Sequence, residues 1–341
     1  MGCEWHDKIF TATGSGFEAL ALEIFQFQYV NNSLYKRYVD TLGIDPGGIR
    51  SCNAIPFLPI SFFKTYEVRT GNFEPAVVFE SSGTTHATSS RHLIKDVSIY
   101  TESFRKNFES DYGPIEDLCV LGLLPSYLEK GNSSLVYMVK WLIEKSGHPL
   151  SGFYLYEYEK LASTLEILEK EGQKTILFGV TYALLDFAEK FPIQLMHTSV
   201  IETGGMKGRK KEMTRMQVHD ILKNSFSINA IHSEYGMTEL LSQAYSKGEG
   251  RFHYPPWMRI LIRDDEDPFE VRGFDSLNGN KANTIQKPAI VGGINIIDLA
   301  NVYSCAFIAT DDVGKLHPDN SFEVLGRMDG SDLRGCSLLA I

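Results

Sequence analysis

Between residues 118 and 246, short apolar runs alternate with longer stretches whose apolar positions recur every three or four residues. Leu118 to Leu124 is a continuous run of strand length, as a strand buried on both faces would be. Ser133 to Lys145 has a helical period and meets Gly147 as a stop. Tyr158 to Glu171 places Leu161, Leu165 and Leu168 on one helical face and ends at Gly172. Strands are then expected over Thr175–Phe178, Ser199–Glu202 and Ile228–Ile231, and helices over Tyr182–Lys190, Lys210–Asn224 and Thr238–Tyr245. Such alternation predicts an α/β fold, doubly wound around a mostly parallel sheet. Ligands of these sheets bind beyond the carboxyl ends of the strands. The polar stretches starting at residues 81 and 233 fall at such places.

The flanks differ. The first 75 residues read as helical with connecting loops, and Ala19 to Phe25 lies in an apolar-periodic stretch. In "IPFLPISFFK", Ile55 to Lys64, two prolines argue against a regular helix. After residue 250, glycine, short apolar runs and turn signals such as His317-Pro318-Asp319-Asn320 predict β structure. The pattern divides the chain into a helical segment (1–75), an α/β core (76–246), a β-rich subdomain (247–328) and a C-terminal arm (329–341).

Composition narrows the function. With 43% hydrophobic residues in 341, a sizeable core is expected. A formal net charge of −10 argues against a broad nucleic-acid surface but leaves room for a local anion pocket. No apolar run has the length of a transmembrane helix, and MGCEWHDKIF lacks the layout of a signal peptide. Met1-Gly2-Cys3 is like a lipidation start, but His6 stands where a hydroxyl is expected. The five cysteines are scattered, with no CxxC pair, which suits a reducing cytoplasm better than a disulfide framework.

Three motifs could carry chemistry. Ser81-Ser82-Gly83-Thr84-Thr85 offers four hydroxyls and the amides of a tight turn, which suit either an ordinary strand-to-helix loop or an anion nest. In "HSEYGMTEL", His232 to Leu240, Tyr235 could stack on a base and Glu239 could hold magnesium. Alternatively, Thr238 caps a helix and Glu239 is an acid in its first turn. In Ala309 to Gly335, Asp312 suits a ribose diol and Arg327 a ribose or phosphate, unless the two are a surface charge pair beside hairpin turns.

Taken in order, Ser-Ser-Gly-Thr-Thr, Tyr-Gly-Met-Thr-Glu, Thr-Asp-Asp-Val-Gly and Leu-Gly-Arg-Met-Asp resemble the adenylate-forming superfamily over residues 76 to 335. "GVTYALLDF" (Gly179 to Phe187) and "IETGGMKG" (Ile201 to Gly208) also fall where that superfamily has a helix start and a substrate-binding strand end. "IPFLPISFFK" and the ending "GRMDGSDLRGCSLLAI" are similar to the acyl-protein synthetase family, which includes the fatty-acid-activating component of bacterial bioluminescence.

The resemblance implies a ligase that uses ATP and Mg2+ to convert a carboxylic acid, a fatty acid by analogy, to an acyl-adenylate. Ser81, Ser82, Gly83, Thr84 and Thr85 would clasp phosphates, with Thr84 beside the metal. Gly204 and Gly205 would line the adenine and acyl side. Tyr235 would stack on adenine, with Gly236 and Thr238 beside it. Glu239 would bind magnesium, and Asp312 and Arg327 would hold the ribose. Cys336 would take the acyl group as a thioester and pass it to a partner, a reductase or carrier protein.

The sequence departs from the pattern at several points. His86, Thr88 and Ser89 replace the Gly and Pro-Lys of the usual loop, so that Arg91 or His92 could share the phosphates. Asp311 replaces the glycine of Thr-Gly-Asp. Residues 330–341 contain no lysine, so the small C-terminal domain that carries the catalytic lysine in most members would be absent, with Lys64 a substitute candidate. Direct transfer to coenzyme A or a carrier protein, and a non-catalytic nucleotide binder, are the alternatives.

Overall fold

In the computed structural model, the structure describes residues 3–12, 14–81, 89–125, 132–204, 213–274 and 288–328. Its helices are α1 (Cys3–Thr11), α2 (Gly14–Asn31), α3 (Ser33–Thr41), α4 (Phe62–Thr65), α5 (Val97–Tyr112), α6 (Ser134–Ser146), α7 (Tyr158–Glu171), α8 (Thr181–Lys190) and α9 (Arg215–Phe226). Its strands are β1 (Leu58–Pro59), β2 (Val77–Glu80), β3 (Arg91–Ile94), β4 (Cys119–Leu123), β5 (Gly152–Phe153), β6 (Thr175–Gly179), β7 (Thr198–Thr203), β8 (His232–Tyr235), β9 (Ala244–Ser246), β10 (Met258–Arg263), β11 (Val271–Arg272), β12 (Ile290–Asp298), β13 (Phe307–Leu316) and β14 (Phe322–Arg327). None of the described helices is long and apolar enough to cross a membrane. The chain forms two compact units.

Among the described residues, one unit comprises those within 105–235 and 244–252. Its sheet has the order β5-β4-β6-β7-β8-β9, parallel from β5 through β8, with β9 antiparallel at the edge. Every residue of β4 and β6 is buried, the burial expected of strands covered on both faces. The predicted helix at Tyr158–Glu171 forms with the predicted bounds. Gly172 takes the left-handed conformation (φ 69°) in which glycine avoids the Cβ clash, and its amide reaches the carbonyls of the last turn.

The other comprises the described residues within 3–104, 236–243 and 253–328. Its main sheet has the order β1-β13-β12-β10-β11, with β14 also on β13, and is antiparallel apart from the β1–β13 pair. Burial alternates along most of β13, as in a sheet with one face in the core. β2 and β3 form a separate antiparallel pair. The hydroxyl-rich stretch is therefore a strand-to-strand connection, where a strand-to-helix loop was one expectation. Its base is closed by Ser81 N donating to Ser90 O (3.0 Å) and Ser90 N donating to Ser81 Oγ (2.8 Å).

Three predicted elements are corrected. The helix expected over Lys210–Asn224 starts at Arg215, and residues 210–212 lie outside the described ones. Thr214 Oγ1 accepts from Gln217 N (3.3 Å) and Gln217 Oε1 accepts from Thr214 N (2.9 Å), a reciprocal cap that sets the start. The strand expected over Ile228–Ile231 lies at His232–Tyr235, because Ser227 closes α9 in a left-handed conformation (φ 52°) and the following residues turn the chain before it joins the sheet. No helix forms over Thr238–Tyr245: a turn leads into β9. The amides of Leu241 and Ser242 donate to Asp298 Oδ2 at 2.8 and 2.9 Å, so a side chain takes the donors that a helix would have used.

Candidate active site

The Tyr-Gly-Met-Thr-Glu motif straddles the two units. Tyr235 ends β8 in one, and Gly236 to Glu239 belong to the other. Each half is built differently.

In the unit that holds residues 236–243, the turn at Thr238-Glu239 is fixed from three sides. His92 Nδ1 donates to Thr238 O (2.8 Å) from β3. Asn301 Nδ2 donates to Glu239 O (2.8 Å). Asp298 accepts four bonds, from Leu241 N, Ser242 N, Ser242 Oγ (2.6 Å) and Ala300 N (3.2 Å). Both of its oxygens thus accept two donors, an environment suited to the ionised form. Burial pushes its pKa up to about 6, while the four donors act in the opposite direction. Glu239 is fully buried.

His92 is also fully buried, and desolvation lowers its pKa to about 4, against the opposing effects of the Thr238 carbonyl and Glu239. The ring is neutral at pH 7, with its proton on Nδ1. This corrects the expectation that His92 could share the grip on phosphates, since its one ring proton is donated to Thr238 O. Its Nε2 makes no hydrogen bond among the described residues. Phe63 meets the ring edge-on at 5.6 Å. Lys64 follows it in the last turn of α4, half-buried. Arg91 is exposed, 3.9 Å from Glu80.

Asp312 and Arg327, separated in sequence by a hairpin, stand opposite each other in the β13–β14 ladder. The Arg327 side chain is 9% exposed. Its Nη2 donates to Asp311 Oδ2 at 2.6 Å, and its Nε lies 3.8 Å from Asp312 Oδ1. Nε and Nη1 are buried and make no hydrogen bond among the described residues. The reading of this pair as a mere surface contact is corrected by its burial.

In the other unit, Gly204 closes β7 with a positive φ of 70°, and its carbonyl accepts from Thr181 N (3.2 Å) and Thr181 Oγ1 (2.6 Å) at the start of α8. Tyr235 is buried in β8, its ring 5.9 Å from that of Phe252. Beneath these strand ends lies a polar group that sequence reasoning missed. Thr181 Oγ1 is hydrogen-bonded to Glu202, and Thr203 Oγ1 donates to Glu234 Oε2 at 2.6 Å. His219 Nε2 lies 3.3 Å from Ser233 Oγ and 4.0 Å from Glu202 Oε2. Both approach the same ring nitrogen, so the three do not form a nucleophile–base–acid relay, which needs both nitrogens. The available signal was Glu202 at the end of a strand read from the sequence and Glu234 within the His232–Leu240 motif.

Burial pushes the Glu234 pKa up to about 7, with Glu202 raising it further and Thr203 opposing. A raised carboxyl pKa means that the folded state holds the proton more tightly than the unfolded state. Stability from this group is therefore complete below about 4.5 and is lost as pH rises through about 7. The shift corresponds to roughly 3 kcal/mol. Thermal unfolding of wild type and Glu234→Gln at pH 5 and pH 8 is expected to show a smaller pH-dependent loss in the variant.

Ser82, Gly83, Thr84, Thr85, Gly205 and Cys336 lie outside the described residues.

No protein-family model matches the chain, and no curated protein matches it. Solved structures do. O-succinylbenzoate coenzyme A synthetase from Bacillus subtilis, in complex with ATP and magnesium ion, is 16% identical over 75% of this chain and 52% of that one, with a TM-score of 0.49. Amide bond synthetase McbA from Marinactinospora thermotolerans is 17% identical over 76% and 50%, with a TM-score of 0.47. A long-chain-fatty-acid-CoA ligase from Archaeoglobus fulgidus is 13% identical over 74% and 52%, with a TM-score of 0.49. The chain spans about half the length of these structures. At this level of identity the similarity is one of fold, to proteins named as synthetases and ligases.

Proposed function

We propose that this protein activates a carboxylic acid with ATP as an acyl-adenylate, releasing pyrophosphate, and transfers the acyl group to Cys336 and then to a partner protein. The observation that carries the reading is the buried Asp312–Arg327 pair, set opposite in register and with two guanidinium nitrogens making no hydrogen bond among the described residues. A ribose offers both the donors that a carboxylate takes and the acceptors that a guanidinium needs.

Glu239 would hold magnesium, with Thr84 from the hydroxyl-rich loop. The bound ion would offset the charge that builds on the phosphates. The chain's own part is to fix that carboxylate. Three side chains hold the backbone of the Glu239 turn. Ser81 secures the base of the loop proposed to clasp the phosphates, and Gly204 and Tyr235 would border the adenine. In the second step the thiolate of Cys336 would attack the acyl carbonyl and AMP would leave. Arg334, two residues away, would favour the thiolate. A fatty acid is the proposed substrate class, and a reductase or carrier protein the proposed acceptor.

The test is intact-mass analysis after incubation with ATP, magnesium and a mixed set of carboxylic acids. Wild type is expected to gain one acyl group and Cys336→Ser none. Carboxylate-dependent ATP–pyrophosphate exchange is expected to persist in the variant. Exchange without an adduct in either protein would favour direct transfer to coenzyme A or a carrier thiol. Absence of exchange would leave a nucleotide-binding protein without turnover.

A further inference from the structure

The adenylate-forming pattern has glycine where this chain has Asp311. In the structure that residue makes the closest polar contact of Arg327. We propose that Asp311 is a positioning residue for nucleotide binding, which holds the Arg327 guanidinium by Nη2 so that Nε and Nη1 are set in advance for the ligand. The inference rests on the nucleotide reading of Asp312 and Arg327.

Consecutive residues of a strand point to opposite faces, and two acids in a row would not ordinarily flank one guanidinium. Here the ladder passes from Val313–Gly326 to Gly314–Val324, which leaves Leu325 as the extra residue of a bulge. A bulge twists a strand and re-aims its side chains. Met328 N donates to Asp311 O at 2.9 Å, so pairing continues beyond Arg327 and fixes the backbone on both sides.

The division of labour follows from the burial of the two acids. The Asp311 side chain is 30% exposed and that of Asp312 10%. Asp311 can meet a charge near solvent at one guanidinium nitrogen. Asp312 is more deeply placed and lies at a looser 3.8 Å from Nε. A long arginine side chain loses rotamer freedom when it grips a ligand. Held by Asp311, it loses that freedom on folding, and binding no longer carries the cost.

The experiment is calorimetric titration of the full chain with MgATP for wild type, Asp311→Asn, Asp311→Ala, Arg327→Ala and the Asp311→Ala/Arg327→Ala double variant. Arg327→Ala is expected to weaken binding. Asp311→Ala is expected to weaken it about tenfold, and Asp311→Asn by a smaller factor. In the Arg327→Ala background, Asp311→Ala is expected to add nothing. In pyrophosphate exchange the loss is expected in KM for ATP and not in kcat. If Arg327→Ala weakens binding but Asp311→Ala leaves it unchanged or tightens it, the carboxylate is a bystander or a competitor and the inference is overturned. If Arg327→Ala itself has no effect, the nucleotide reading of the pair falls and takes the inference with it. Asp311→Asn conserves volume and one acceptor, so it carries the test should the alanine variant fold poorly.

Discussion

Glu239→Gln is expected to lower carboxylate-dependent pyrophosphate exchange by roughly 10²–10³-fold while leaving the protein folded, the size of losing one preorganised electrostatic contact. The two effects separate because of how the turn is held. The bonds that fix it use the carbonyls of Thr238 and Glu239 and the amides of Leu241 and Ser242. None of these is altered by changing a carboxylate to an amide. Replacing a buried carboxylate by its neutral isostere also removes a desolvation cost. Unfolding of the variant should therefore stay within about 1 kcal/mol of wild type. Exchange measured over a range of magnesium concentrations checks the assignment. A variant with undiminished exchange would remove Glu239 from the metal site.

Asp298→Ala is expected to do the opposite and strike the fold first. It would strand four donors, Leu241 N, Ser242 N, Ser242 Oγ and Ala300 N, in a region where Asp298, Ser242 and Ala300 are almost wholly buried. Breaking a buried charged network from one side costs about 3–5 kcal/mol. Asp298→Asn should be intermediate, since its amide can accept at one oxygen but presents hydrogens to the donors on the other side. Denaturant unfolding at pH 7 measures both. The Ser242 hydroxyl that Asp298 accepts from also lies 3.0 Å from Ser103 Oγ and 3.1 Å from Trp257 Nε1, so damage should spread to α5 and the approach to β10. Near-ultraviolet signals from Trp257 would report it. An Asp298→Ala protein as stable as wild type would show that the turn is held by something else.

The contrast between these two acids explains what the sequence could tell. Glu239 was legible because it belongs to an ordered motif. Asp298 was not, since it sits at the end of an apolar strand and its four partners come from residues 241, 242 and 300. The same contacts undid the helix expected over Thr238–Tyr245: local period was satisfied, but a distant side chain outcompeted the local carbonyls. Elements whose signals were local, such as Tyr158–Glu171 with Gly172, came out with the expected bounds. Glu202, His219 and Glu234 escaped notice for the reason that hid Asp298: their meaning lies in side-chain pairing across strands and from a helix, not in spacing. The pairing of Asp312 with Arg327 needed the β13–β14 register, which the residues at either end of the hairpin suggest but do not fix.

The pairing of β1 with β13 has a kinetic consequence. Leu58 and Pro59 lie beside Ile308 and Ala309, and the Gln28 side chain bonds the backbone at Asn301, Val302 and Ala306. The helices and strand around residues 14–59 thus find their sheet only after residues 301–309 have been made. Their contact order is high, and such closures are slow. Strands β4 to β8, by contrast, pair with partners made shortly before or after them. Strands β4 to β8 can therefore pair during synthesis while α2 and β1 wait, with apolar faces uncovered, for β13.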